Sequence, residues 1–335
     1  MSYPASTMML GLGLLLGSSA YAGPATQPAG TPASNGWRAD LFRYDRPAKL
    51  IVEESAPTFA QSDWHTRPPQ MKADDVDLVA TGPAKPRVVE HMNILRLRFK
   101  DTDGEIVPVL LCTPAGRKGP FPVVVAVHGL TSNKAQVCAQ VAPGLTKRGF
   151  AVIAPDMPRH GERPGDPYSV LDHSNPIRSF QVARRAINDV RQTIDLAETR
   201  PELDTTGGVV LVGYSMGSWI NSVVGPADNR VRAMVLMVGG AMDIPAAALL
   251  LPQVAAVDPR LAIAHFVGRP LLLMNARQDQ IVKPDMAERL FNACPDPKRQ
   301  VWYDCGHLLT TDAYDDAARW IAETVGSAKG MRKAG

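Results

Sequence analysis

The sequence predicts an α/β fold, in which helices cover both faces of a mostly parallel sheet. The first observation is a series of apolar runs typical of strands buried on both faces: "FPVVVAVHG", "FAVIAPD", "GVVLVG", "RAMVLMVGG" and "PLLLMNA". The second is that helical segments separate them; in residues 178–200, Ile187, Val190 and Ile194 lie on one apolar stripe. The third is that polar residues follow the runs, where such sheets collect functional groups.

The composition agrees with a folded chain of ordinary charge. The 335 residues suit one large domain or two small ones, and 45% hydrophobic with 21% charged residues excludes global disorder. A net charge of +3, with lysine and arginine scattered along the chain, gives no indication of nucleic-acid binding.

The first 22 residues are predicted to be a signal peptide. Met8–Gly17 is a short apolar run, and Ala20 and Ala22 are the small residues expected before a cleavage site. Because the run is too short to span a bilayer, we expect export to the periplasm or the medium, without stable membrane insertion after cleavage.

The rest of the chain divides by composition. Residues 23–36 read as a flexible linker, and residues 37–90 as an irregular N-terminal extension that packs on the main domain. Residues 91–327 form the predicted α/β domain, and residues 328–335 a basic tail.

The domain is predicted to open with a half-exposed hairpin. Leu95, Leu97 and Phe99 alternate with two arginines and a lysine, which is typical of a strand with one wet face. "DTDGE" is the turn, and "IVPVLLC" is the returning strand.

The motif "GYSMG" lies between an apolar run and a helical segment. Gly-x-Ser-x-Gly in that context predicts a nucleophile elbow, with Ser215 on a strained turn above the sheet. Gly213 and Gly217 would give the crowded backbone room that a Cβ would occupy. The amide of Met216, and that of Leu130 after "HG", are the expected oxyanion donors.

A serine nucleophile needs a base, and His307 is the best candidate. It follows the last strand, in "DCGH", which gives the order Ser, Asp, His. His128 and His160 precede glycines and are expected to shape loops, His173 is a weaker alternative, and His65, His91 and His265 lie elsewhere.

The acid that orients the histidine is predicted to be Asp279, in "RQDQIV" after a buried run. Asp243, in "GGAMD", is its rival. Asp304 is too near His307 in sequence to reach its ring and is expected to face away.

The four cysteines allow two interpretations. Exported proteins often carry disulfides, and four cysteines permit three pairings, but buried free thiols are equally compatible with a domain of this size. Their spacing matches no zinc site, so no metal is expected. The four are Cys112, Cys138, Cys294 and Cys305.

These motifs resemble the α/β-hydrolase superfamily, in its dienelactone-hydrolase-like, acetyl-esterase-like and prolyl-oligopeptidase-like branch. The resemblance covers about residues 93–326 and includes "PVVVAVHGLTSNK", "LVGYSMGS" and "DCGH". Ser215 replaces the cysteine of dienelactone hydrolases proper and excludes the aspartate of the dehalogenases; "HGLTS" replaces "HGGG", and no propeller precedes the domain. The resemblance implies hydrolysis of a carboxylic ester without a cofactor.

Two segments could govern the substrate. Residues 241–268 are rich in alanine and leucine and would form either a small helical cap or ordinary packing helices. Arg159, Arg163 and Arg178 could contact an anionic substrate group or pair with nearby acids. The expected partner is a small-molecule ester; an amide substrate for the same triad, and a non-catalytic binding role, are the alternatives.

Overall fold

The described part of the chain falls within one unit, Ser34–Gly335. The structure, a computed structural model, describes residues 36–47, 50–56, 87–89, 91–170, 175–242, 244 and 246–331. The predicted signal peptide and residues 23–35 of the predicted linker lie outside the described residues, and so do His65, His173 and Asp243.

A single large sheet confirms the predicted α/β class. Its order is β1-β3-β4-β6-β5-β8-β9-β10-β11, with β2 added beside β3 and β7 beside β5. Neighbouring strands in the part of the sheet ordered β6-β5-β8-β9-β10-β11 run parallel. The pairs β1–β3, β2–β3, β3–β4 and β4–β6 are antiparallel. The bounds are β1 Val52–Ser55, β2 Arg87–Val89, β3 Met92–Lys100, β4 Ile106–Pro114, β5 Phe121–Val127, β6 Ala151–Pro155, β7 Leu203–Asp204, β8 Val209–Tyr214, β9 Val231–Met237, β10 Leu271–Ala276 and β11 Lys298–Tyr303.

Helices cover both faces of this sheet. One face packs against α1 and α8, and the other chiefly against α2, α3 and the short helices α5 and α6. The bounds are α1 Lys134–Lys147, α2 Pro176–Glu198, α3 Met216–Ala227, α4 Ala246–Leu249, α5 Pro252–Ala256, α6 Pro259–Ile263, α7 Pro284–Ala293 and α8 Thr311–Met331.

The apolar runs arise because each strand contributes to two cores. In β5, Val123, Val125 and Val127 join the core under α2 and α3, whereas Val124 and Ala126 join the core under α1 and α8. A strand buried on both faces has no position for a polar residue until it reaches the edge of the sheet. Chemistry is therefore confined to the strand ends.

The hairpin strand β3 is more buried than its alternating sequence predicts. Arg96 is 3% exposed, although the pattern placed it on a wet face. The reason is electrostatic, since Arg96 donates to the carboxylate of Glu162, which covers that face of the strand.

The N-terminal extension has more regular structure than predicted. It contains a short 3-10 helix, Ala39–Phe42, and two strands that pair with β3. Phe42 is fully buried, and the indole of Trp37 donates to Ala256 O at 2.9 Å. The backbone hydrogen bonds of β1 and β2 are made with β3, so these strands cannot be recognised from their local sequence. At the other end, α8 extends to Met331, four residues into the predicted tail.

The segment predicted as a cap forms three short helices, α4 to α6. Ala256, Ala262 and Phe266 are buried in the core beside α3, so the second half of the segment is packing. Leu250 is 81% exposed in the first half, before α5 begins. Within the described residues, no helix is both long and apolar enough to cross a membrane.

All four cysteines are free thiols, and three of them are buried. Burial and contact with Cys112 raise the pKa of the Cys138 thiol. The interpretation as small buried residues therefore describes Cys112, Cys138 and Cys294.

Candidate active site

Ser215 lies on a sharp turn between β8 and α3. Its backbone has φ 53° and ψ −111°, a conformation that costs free energy in any residue other than glycine. Its amide donates to Met237 O at 2.9 Å, which ties the turn to the neighbouring strand β9. The side chain is therefore held above the carboxyl edge of the sheet, half-buried.

The two glycines of the motif are required by close backbone contact. A Cβ on Gly213 would lie 2.5 Å from the carbonyl of Gly217, and a Cβ on Gly217 would lie 2.1 Å from Val127 O. Neither contact can be relieved by turning a side chain, because the opposing atoms are backbone. Any larger residue at either position would displace the turn that presents Ser215.

Three of the predicted residues form one line of hydrogen bonds. The Nε2 atom of His307 lies 3.0 Å from Ser215 Oγ, and its Nδ1 atom lies 2.8 Å from Asp279 Oδ2. Ser215 follows β8, Asp279 follows β10 and His307 follows β11. The carboxyl ends of these parallel strands share one edge of the sheet. The arrangement matches the geometry of a serine, histidine and aspartate triad.

Asp279 is fixed on both oxygens. Its Oδ1 accepts hydrogen bonds from the amides of Ile281 and Val282, at 2.8 and 2.9 Å, while Oδ2 faces His307. The residue is 1% exposed, so water does not compete for these bonds. As predicted, Asp304 faces away, because its side chain is 81% exposed and pairs with Arg277.

The loop that carries His307 is held by Tyr214, a residue that the sequence analysis did not single out. Its hydroxyl donates to His307 O at 2.7 Å and accepts from Leu309 N at 3.1 Å. Burial raises the pKa of the Tyr214 hydroxyl, so it stays protonated and able to donate. The signal in the sequence was the place of Tyr214 as the second residue of the Gly-x-Ser-x-Gly motif, directly before the predicted nucleophile.

The loop with the expected oxyanion donor lies against Ser215. A Cβ on Gly129 would lie 3.5 Å from Ser215 Cβ, and the next residue is Leu130. His128 shapes this loop, as predicted: Nδ1 donates to Gly129 O at 2.8 Å, and Nε2 accepts from Met157 N at 3.0 Å. Burial lowers the pKa of His128 to about 4, which keeps the ring neutral in this arrangement.

The loop after β6 is tied to α1 and β3 by a buried ion network. Lys134 Nζ lies 2.6 Å from Asp156 Oδ2 and 2.7 Å from Glu162 Oε1, and Arg96 pairs with the same glutamate. Despite burial, the Lys134 ammonium holds the pKa of Asp156 below its ordinary value. All four side chains are at most 4% exposed, so the network fixes the loop.

The three predicted substrate arginines are not brought to the triad. Arg163 is 6% exposed and is engaged with Asp189 and Glu105, which leaves it a structural ion pair. Arg159 donates to Ser169 O at 2.7 Å, and the third, Arg178, lies near the start of α2. They line a separate cavity of about 650 Å³ to which no triad residue contributes.

Within the described ranges, no group of three or more His, Cys, Asp or Glu side chains is arranged to hold a metal ion. The chemistry available at this edge is that of a hydroxyl beside an imidazole. The imidazole can take the proton of the hydroxyl, and the carboxylate can stabilise the imidazolium that results.

Comparison with known proteins finds an esterase of similar sequence. The chain is 27% identical over 248 residues to the esterase YjfP of Escherichia coli (strain K12), a match that covers 65% of this chain and 95% of that protein.

Two solved structures share the fold. The acetyl xylan esterase of Paenibacillus sp. R4 superposes with a TM-score of 0.63 at 16% identity, over 96% of this chain and all of that one. Acetyl xylan esterase 1 of Thermoanaerobacterium sp. JW/SL YS485 gives 0.56 at 20% identity, over 71% and 85%. The profile of the dienelactone hydrolase family matches residues 107–312, more than half of the sequence. The chain therefore belongs to the dienelactone hydrolase family.

Proposed function

We propose that this protein hydrolyses carboxylic esters through an acyl-enzyme intermediate on Ser215. The observation that carries the proposal is the line of hydrogen bonds from Asp279 through His307 to the serine, at 2.8 and 3.0 Å. The strained elbow supports it, because backbone strain of this kind is retained where it presents a reacting group.

The first half of the reaction forms the acyl-enzyme. His307 Nε2 takes the proton of Ser215 Oγ as that oxygen bonds to the ester carbonyl carbon. The tetrahedral intermediate then collapses, the C–O bond to the alcohol breaks, and the imidazolium returns its proton to the leaving alcohol. Asp279 stabilises the imidazolium throughout and fixes the ring orientation.

The second half releases the acid. A water molecule gives its proton to His307 and attacks the acyl carbon, and Ser215 leaves with that proton restored. In both halves the oxyanion would be held by the amides of Met216 and Leu130. A helix begins at Met216, so its unpaired amides favour negative charge at this point.

An ester is favoured over an amide by the relatives. YjfP is named an esterase and both structural neighbours are acetyl xylan esterases. The triad chemistry itself does not discriminate, since the same groups cleave amides in peptidases. The rates on 4-nitrophenyl acetate and 4-nitroacetanilide decide between the two. These compounds carry the same acetyl and 4-nitrophenyl groups and differ only in the ester or amide bond.

The test compares the wild type with Ser215→Ala. We expect the wild type to hydrolyse 4-nitrophenyl acetate and the variant to lose about 10⁵-fold in kcat/KM. A fluorophosphonate probe should add covalently to the wild type alone, on the peptide containing Ser215. Hydrolysis that survives the substitution, or labelling elsewhere, would reject Ser215 as the nucleophile.

We also propose that the protein is exported, on the pattern of residues 1–22. Expression of the full chain in a bacterium, followed by N-terminal sequencing of the fractionated protein, tests this. Export predicts a mature protein that begins at Gly23 outside the cytoplasm. A cytoplasmic protein that keeps Met1 would refute it.

A further inference from the structure

The cavity of about 650 Å³ beside the ion network is strongly cationic. Its size falls in the range of small-molecule sites. Two glutamates face it, Glu105 and Glu162, against a larger set of arginines. The arginines are Arg96, Arg98, Arg159, Arg163, Arg178 and Arg185.

Much of this positive charge is already compensated by carboxylates. Arg96 pairs with Glu162, and Arg163 lies 2.7 Å from Glu105 and also pairs with Asp189. Both arginines are nearly fully buried, so they form part of the wall. Arg185 contacts Glu105 as well as Asp103.

Arg98 and Arg159 are different. Arg98 lies 3.6 Å from Glu53, whose side chain is 63% exposed, and such solvated pairs contribute little. Its Nε atom is buried and has no hydrogen-bond partner among the described residues. The Arg98 side chain as a whole is 25% exposed and lines the cavity, so its weakly paired guanidinium is accessible to a ligand there.

The hydrogen bonds of the Arg159 guanidinium go to neutral groups, and it forms no salt bridge with the described residues. Its Nη1 donates to the carbonyl and the hydroxyl of Ser169. Its φ of 65° is unusual for a residue other than glycine. A backbone held in that conformation, with an uncompensated guanidinium at the cavity, indicates a position kept for binding.

The remaining lining is partly apolar. Ile106, Pro108, Pro158 and Val182 contribute to it. A bare inorganic ion would gain nothing from these side chains, whereas an organic molecule would bury apolar surface against them. Guanidinium groups favour carboxylate and phosphate oxygens, because their N–H donors match both.

We propose that this cavity binds a small organic anion through a carboxylate or phosphate group held by Arg98 and Arg159. The site lies at the same edge of the sheet as Ser215. The cavity residue Pro108 accepts from the amide of Asp156 at 2.8 Å, and Asp156 directly follows the carboxyl end of β6. Ser215 follows the carboxyl end of β8, which runs in the same direction. Two strand spacings, about 10 Å, separate β6 from β8.

The cavity loop is also joined to the oxyanion loop. Met157, which precedes the cavity residue Pro158, donates its amide to His128, and His128 in turn holds Gly129. An anion in the cavity therefore lies one loop away from the groups around Ser215.

The experiment measures binding directly, by isothermal titration calorimetry of the full chain, and so does not depend on the proposed activity. The probes are isophthalate and phenyl phosphate, with inorganic phosphate at matched ionic strength. We expect saturable binding of at least one organic probe, with inorganic phosphate at least about tenfold weaker. Affinity should fall as salt rises, because the contact is ionic.

Arg98→Gln and Arg159→Gln should each weaken the binding by about tenfold or more, the usual loss for a charge-assisted hydrogen bond. Arg319→Gln is the matched control, since Arg319 is an arginine of α8 that is 56% exposed and pairs with Asp315 and Asp316. Circular dichroism checks that each variant is folded.

Three results would overturn the proposal. They are no saturable binding of either organic probe, unchanged affinity in both cavity variants, and inorganic phosphate binding as tightly as phenyl phosphate. The two organic probes distinguish a carboxylate ligand from a phosphate ligand.

Discussion

Two loops at the same edge of the sheet use charged residues in opposite ways. Around Ser215 there is one carboxylate, one imidazole and one hydroxyl, in a line that ends at a half-exposed oxygen. In the loop after β6, Asp156 and Glu162 face Lys134 of α1, and all three side chains are closed off from solvent. The first arrangement leaves one group to react, and the second leaves none.

The difference teaches how to separate a reacting group from a structural one. Each carboxylate of the network is matched by a cation, and the ammonium keeps the pKa of Asp156 low despite burial. Asp279 instead faces an imidazole that gains charge only when it accepts a proton. Asp156 and Asp279 are both almost fully buried, so the partner's chemistry is the distinguishing feature.

After Ser215→Ala, the largest effect is expected for Asp279→Asn. Loss of the carboxylate should lower kcat by about 10⁴-fold on 4-nitrophenyl acetate, because the imidazole loses its orientation and its counter-charge. Asp304→Asn, at the exposed aspartate near the same histidine, should stay within about twofold. If Asp279→Asn retains more than a tenth of kcat, Asp243→Asn should show the loss instead, and the acid would be Asp243.

Lys134→Met should harm stability and spare chemistry. Removing the cation leaves Asp156 and Glu162 buried without their shared partner, which costs about 3–5 kcal/mol in the free energy of unfolding. Denaturant titration measures this loss, and kcat of the folded protein should change less than tenfold. A large loss of kcat at unchanged stability would show that the network belongs to the reacting site.

Acid should weaken the fold through His128. Its folded pKa of about 4 lies below the ordinary 6.5, so the unfolded chain binds the proton first. Stability is therefore full above about pH 6.5 and falls by about 3 kcal/mol as pH drops towards 4. Denaturant titrations across this pH range should show that the free energy of unfolding falls less with pH in His128→Gln than in the wild type. An equal fall in both proteins would contradict the role of His128 in acid sensitivity.

The smallest effect is expected for Tyr214→Phe. Loss of the hydroxyl frees His307 O and Leu309 N, which costs about 1–2 kcal/mol of stability. The loop keeps His307 but positions it less firmly, so kcat should fall about tenfold while KM stays unchanged. A change in KM alone would mean that Tyr214 contacts substrate and does not position the loop.

The class of fold, and the meeting of Ser215, His307 and Asp279 at one edge of the sheet, could be predicted because both leave local patterns. Runs such as β5 have no polar residue within them, and Ser215 stands between two glycines that backbone contact requires. The order Ser, Asp, His then selects Asp279 and His307, and the parallel strands bring them to one edge.

Contacts between distant segments could not be predicted in this way. Arg96 alternates with apolar residues like a solvent-facing side chain, but it donates to Glu162, 66 positions later, and to Ser55, 41 positions earlier. The role of Tyr214 is hidden for a similar reason, because His307 O and Leu309 N, which its hydroxyl holds, lie 93 and 95 positions away. The sequence left open whether Arg163 contacts substrate or pairs with acids, because its partners, Asp189 and Glu105, lie 26 and 58 positions away.

The bond between Trp37 and Ala256 sets an order of events during synthesis. The two residues are 219 positions apart. A chain that emerges with its N-terminal end leading brings Trp37 beside Phe42 early, but the indole cannot donate to Ala256 O until residue 256 has also emerged. This hydrogen bond is therefore a late step, formed only when most of the chain has been made.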